Sequence, residues 1–126
     1  MITKRTRPNA AQKRWMADVM QWAKINGPVA QEVWFNGDMQ CHHCAGRSYK
    51  HNKVQIGNYF ILPLDIVLHD VHSSNDYNVT HWRKRFTERF GNQRDLWMGM
   101  VDSMREQGYE IPFGQDVIDS VMDTRY

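Results

Sequence analysis

The chain has 126 residues, 41% of them hydrophobic, and a formal charge of +2 at neutral pH. That is enough apolar material for one core with helices around it and too little for a second independent domain. No apolar run approaches the roughly 20 residues that cross a bilayer, and the basic start from Met1 to Pro8 precedes no apolar stretch, so neither a membrane span nor a secretory signal is expected and a cytoplasmic protein is.

Residues 1–8 read as a basic arm. Asn9 is placed to cap a helix running to about Ile25, with Trp15, Met16, Val19, Met20, Trp22 and Ala23 at helical spacing and Gly27-Pro28 as its end. Gln31 to Phe35 alternates weakly, Asn36-Gly37 signals a turn, and Met39 to Cys44 reads as a returning strand, so a hairpin is expected just before the pair His42-His43. Arg47 to Gly57 is polar, basic and without period, the pattern of an exposed loop. Tyr59 to Leu62 reads as a short strand. Pro63 suits the first turn of a helix carrying Ile66, Val67, Leu68, His69 and His72. Ser73 to Asn78 breaks that helix; Thr80 stands as N-cap for one through Phe90, with Trp82 and Phe86 in the core, and Gly91 stops it. Asn92 caps another through about Gln107, and a last helix spans Gln115 to Met122. The class expected is α+β, a small strand region embedded among four or five helices in a single domain over residues 1–126.

Charge is unevenly spread. Residues 1–100 carry 14 Lys and Arg against 8 Asp and Glu, net +6, and residues 101–126 carry 2 against 6, net −4. Arg47, Lys50 and Lys53 in the loop, and Arg83 and Arg85 on the helix after Thr80, would suit a phosphate backbone; solvated faces are the plainer reading of the same pattern.

Five of the six histidines fall within residues 42–72. Imidazole is the commonest metal-binding side chain and the one that titrates near neutrality, so this clustering points to metal-assisted acid/base chemistry. On a helix, His69 and His72 would share a face. Two ligand sets compete. Cys41, Cys44, His69 and His72 would make a closed structural zinc site, since a disulfide between cysteines three apart would constrain little. His42, His69 and His72 would instead leave a position open for a scissile phosphate and leave His43 free as general base. Adjacent residues on a regular strand face opposite sides, so His42 and His43 share a site only if the backbone bends, and Ala45-Gly46 lies just downstream.

A double histidine ending a hairpin, an intervening Asn and a helix with a terminal histidine resemble the ββα-metal plan of the HNH nucleases. More particularly, His42-His43, the run Phe60-Ile61-Leu62-Pro63-Leu64 leading to His69, and Trp82 to Phe86 through Phe90-Gly91-Asn92-Gln93 resemble the phage RecA-dependent nucleases, the Ref-like recombination-enhancement proteins. The resemblance covers roughly residues 10–97. It implies a phage-encoded DNA endonuclease with one divalent ion, zinc or magnesium, held by His42, His69 and His72. His43 would activate water and Asn58 would fill the middle HNH position. It also implies DNA as partner and work beside a RecA-type recombinase filament. The alternative is a non-catalytic nucleic-acid-binding module stapled by the Cys41, Cys44, His69, His72 zinc site.

Overall fold

The computed structural model describes residues 7–31 and 38–126. Helix α1, Ala10–Asn26, begins at a reciprocal capping box in which the Asn9 side chain accepts the Gln12 N–H and the Gln12 side chain accepts the Asn9 N–H. Its buried stripe of Trp15, Val19, Trp22 and Ala23 is the face the spacing predicts. Gly27, at φ 89°, ends it.

Strand β1, Met39–His43, pairs antiparallel with β4, Ile61–Asp65, in a register that sets His42 opposite Leu62 and His43 opposite Ile61. Apart from Gln31, the strand over 31–35 and the Asn36-Gly37 turn lie outside the described residues, and the described partner of β1 is β4. Between them, β2, Lys50–His51, and β3, Val54–Gln55, form a hairpin of their own. Its two-residue turn holds Asn52 and Lys53 at φ 50° and 68°, the left-handed pair that matches strand twist. The segment from Arg47 to Gly57 is thus a folded excursion rather than the expected open loop, and Asp123 fastens it by accepting from His51 and Asn52. Gly57 is required where the chain closes back, because a Cβ there would lie 2.1 Å from the Arg47 carbonyl oxygen.

All five residues of β4 are buried. Helix α1 and helix α4, Gln93–Glu106, both pack on this strand. The indole N–H groups of Trp15 and Trp97 donate to one carbonyl, that of Tyr59, at 3.0 and 2.9 Å. Two helices thereby pin the backbone one residue from Asn58. Pro63 sits inside β4, opposite Cys41, and not in the first turn of a helix as expected. The helix starts later because Asp65 caps it, its carboxylate accepting the Val67 N–H.

That helix, α2, is only Ile66–His69. Asp70 is extended at ψ 138° and its carboxylate accepts the His72 N–H, so His72 lies beyond the helix and shares no helical face with His69. Fully buried Asn78 takes over where the helix stops: its amide donates to the carbonyls of Val67 and Asp70, and its oxygen accepts from Thr80 and His81 N–H. Thr80 does not cap the next helix, as expected of it, but donates its hydroxyl to the His69 carbonyl. Helix α3, Arg83–Phe90, starts after Trp82 without a side-chain cap. Helix α5, Gln115–Met122, has the predicted bounds and packs on α4. The fold is α+β, with β1, β4 and α2 in ββα order and one core shared by all four longer helices and β4. Among the described residues no helix is long and apolar enough to cross a membrane.

Candidate active site

Strand β1 delivers His42 and His43, and α2 delivers His69 after only four intervening strand residues beyond Ile61 fix its start. The rings of His42 and His69 meet edge to face, with centroids 4.9 Å apart and planes at 61°. His43 is near enough to both to feel their charge, and the exposed Arg47 guanidinium acts on it too. Burial is the main cause that lowers all three imidazoles. It pushes His42 down to about 4 against an opposing hydrogen bond that the ring donates to Gln93, and holds His43 and His69 below the usual imidazole range. The three rings are therefore neutral at pH 7, the form that ligates a metal or accepts a proton.

Each ring is also held by a carboxamide. Gln93 Oε1 lies 2.7 Å from His42 Nε2, Gln40 Oε1 lies 2.6 Å from His69 Nδ1, and Asn58 Oδ1 lies 3.2 Å from His43 Nε2. An amide oxygen can only accept, so in each pair the ring must donate, and a neutral ring that donates through one nitrogen carries a bare lone pair on the other. Two of the amides are oriented by chemistry beyond the histidine. Gln40 Nε2 donates to the Asp70 carboxylate at 3.2 Å, which can only accept. Asn58 Nδ2 donates to Gln12 Oε1 at 3.4 Å, and that oxygen is fixed by the backbone N–H of Asn9 in the capping box. Gln93, 1% exposed, is held at the start of α4 with its N–H on the Tyr126 carbonyl. The lone pairs left available are Nδ1 of His42, Nδ1 of His43 and Nε2 of His69. Two-dimensional long-range ¹H–¹⁵N spectra at neutral pH are expected to show Nε2-protonated His43 and Nδ1-protonated His69; a Gln40→Met variant should lose the His69 preference. The reverse tautomers in the wild type would contradict this assignment.

The predicted site residues divide accordingly. His42, His43, Asn58 and His69 come together. His72 does not: it is exposed and lines a separate cleft of about 370 Å³ with Ile66, Val67, Asp70, Ser73 and Ser74. Among the described residues no three His, Cys, Asp or Glu side chains are gathered so as to hold a metal ion. The expected three-imidazole seat is thus not assembled among the described residues; of its members, His42 and His69 are in ring contact. The rival set of Cys41, Cys44, His69 and His72 is likewise not assembled. Burial raises the Cys41 thiol to about 11 and the Cys44 thiol well above its ordinary value, so both are protonated thiols here.

Of the cations, Arg47 is exposed beside His43 and Lys50 and Lys53 are exposed or near-exposed on the small hairpin. Arg83 and Arg85 are exposed on α3, stacked over Tyr126 and Trp82 respectively. His51 is committed to Asp123 at 2.9 Å and Tyr49 at 3.3 Å, and His81 donates to the Val71 carbonyl. Sequence reasoning missed Gln12, Gln40 and Gln93, which become informative only once their histidine partners are placed beside them. No family model, curated protein or solved structure matches this chain.

Proposed function

We propose that this protein is a metal-dependent DNA endonuclease of HNH type, with His43 as general base. The observation that carries this reading is the set of three neutral imidazoles, each with one nitrogen tied to an amide oxygen and the other bare, on a strand pair and helix in ββα order. In the proposed reaction His43 Nδ1 takes a proton from water as the water oxygen attacks phosphorus in line. The opposite P–O bond then breaks, and solvent protonates the leaving oxygen. Asn58 holds His43 in the tautomer that does this, and Arg47 neutralises the phosphate that approaches it. A divalent ion, zinc or magnesium, would be held by His42 and His69 and would supply charge neutralisation at the phosphate oxygens. The resemblance stated above extends the proposal to a phage-encoded enzyme in the host cytoplasm, working on DNA beside a recombinase filament.

Incubation of the purified chain with supercoiled plasmid and a series of divalent ions tests the reading. Nicked or linear product that disappears on chelation is expected; intact plasmid with every ion would overturn it.

A further inference from the structure

Among the described residues, Trp82 is the exposed large aromatic side chain: it is 46% exposed, whereas Trp15, Trp97 and Phe86 are fully buried. The guanidinium of Arg85 lies over its indole, 4.3 Å from the ring centroid. Helix α3 begins at the next residue and presents Arg83, Lys84, Arg85 and Arg89 to the outside, against one acidic residue, Glu88. An exposed indole at the edge of a cationic helix face is complementary to a strand that offers both a π-face and phosphates. Duplex DNA keeps its bases stacked inside and offers only phosphates to such a surface, so the exposed ring selects for an unpaired base.

The segment that leads into α3 is tied to the short helix that carries His69. The Trp82 N–H donates to the Asn78 carbonyl, the Val79 N–H to the Leu68 carbonyl, and the Thr80 hydroxyl to the carbonyl of His69 itself.

We infer that Trp82 and Arg85 form a stacking platform for an unpaired base, with the exposed cations of α3 holding the flanking phosphates, so that the chain engages single-stranded nucleic acid. This rests on the nuclease reading for its purpose and deepens it by naming the substrate class. Binding is read by fluorescence anisotropy with chelator present, using labelled oligodeoxythymidylate, an abasic strand of equal phosphate number, and a duplex. Trp82→Ala is expected to weaken oligodeoxythymidylate binding about 10-fold or more and to leave the abasic strand and the duplex unchanged. Trp82→Phe should retain most of the affinity, and Arg85→Lys should lose part of it despite keeping the charge. Equal losses on thymidylate and abasic strands, no loss on either, or a wild-type chain that binds no single strand would each overturn the inference; the last would point to a protein partner for this face. Since no metal is present, base-dependent binding by a chain that never cuts would sink the nuclease reading alone.

Discussion

Replacing His43 by alanine is expected to lower metal-dependent plasmid cleavage by about 10²- to 10⁴-fold, the contribution of a positioned general base, while DNA affinity stays within a few-fold. The expectation follows from position: among the three gathered rings, His43 is the one beside the exposed Arg47 and outside the His42–His69 ring contact. Its Nε2 is spent on Asn58, so its Nδ1 is the nitrogen left to take a proton. His72→Ala serves as the internal control, because His72 faces a different cleft and should cut at nearly the wild-type rate. Rates measured under single-turnover conditions decide the matter, with thermal melts to confirm that both variants are folded. Undiminished cleavage by His43→Ala would remove the base assignment, and loss of cleavage in His72→Ala would restore the histidine that the structure sets apart.

Acid should destabilise the metal-free protein well before its carboxylates titrate. In the unfolded chain the histidines bind protons near pH 6.5, whereas His42 in the folded chain does so only near 4, with His43 and His69 shifted in the same direction. The unfolded state therefore holds more protons across this window, and stability is full above about pH 6.5 and falls as the pH drops toward 4. His42 alone accounts for roughly 3 kcal/mol, a large part of the stability of a domain this size. Asp70 and Asp123, whose hydrogen bonds from Gln40 and His51 lower their carboxyls below 3.8, act in the same direction only at still lower pH and leave the window clean. Urea denaturation at pH 7 and pH 4.5 measures the loss. In a His42→Gln variant it should shrink markedly, and equal stability of the wild type at the two pH values would show that these imidazoles are not held neutral by burial.

Much of the scaffold was legible in the chain because long elements carry redundant signals. The first helix announces itself through Asn9, a repeated apolar face and Gly27, and α5 through its own apolar spacing. Short elements lack that redundancy. Helix α2 is four residues long, about one turn, so the expected His69–His72 face depended on a continuation that Asp70 and Asn78 prevent by hydrogen bonding the local backbone into another path. Pro63 by itself suits a helix start, but the carboxylate of Asp65 supplies a better cap two residues on. The four-residue spacing of Trp82 and Phe86 places both in the core only if the helix already includes Trp82; α3 begins one residue later, so Phe86 turns inward while Trp82 stays half exposed.

At the site, the histidines were visible as a cluster and Asn58 through the resemblance, because these side chains have distinctive chemistry. The glutamines were not. Gln40 and Gln93 lie 29 and 51 residues in sequence from the rings they hold, and Gln12 acts through Asn58, so their roles arise from tertiary pairing that no local pattern encodes. The geometric objection about adjacent strand residues is answered in a way the chain alone does not display: His42 reaches the start of α4 and His43 reaches the Asn58 segment beneath α1, and both remain within charge reach of His69.

The anomalous difference map of a crystal soaked in manganese or zinc tests the central claim most directly. A single strong peak bonded to Nδ1 of His42 and Nε2 of His69, with oxygen in its remaining positions and His43 Nδ1 facing it unligated, is the predicted result. A peak enclosed by the Cys41 and Cys44 sulfurs, or one at His72 with none between His42 and His69, would contradict it.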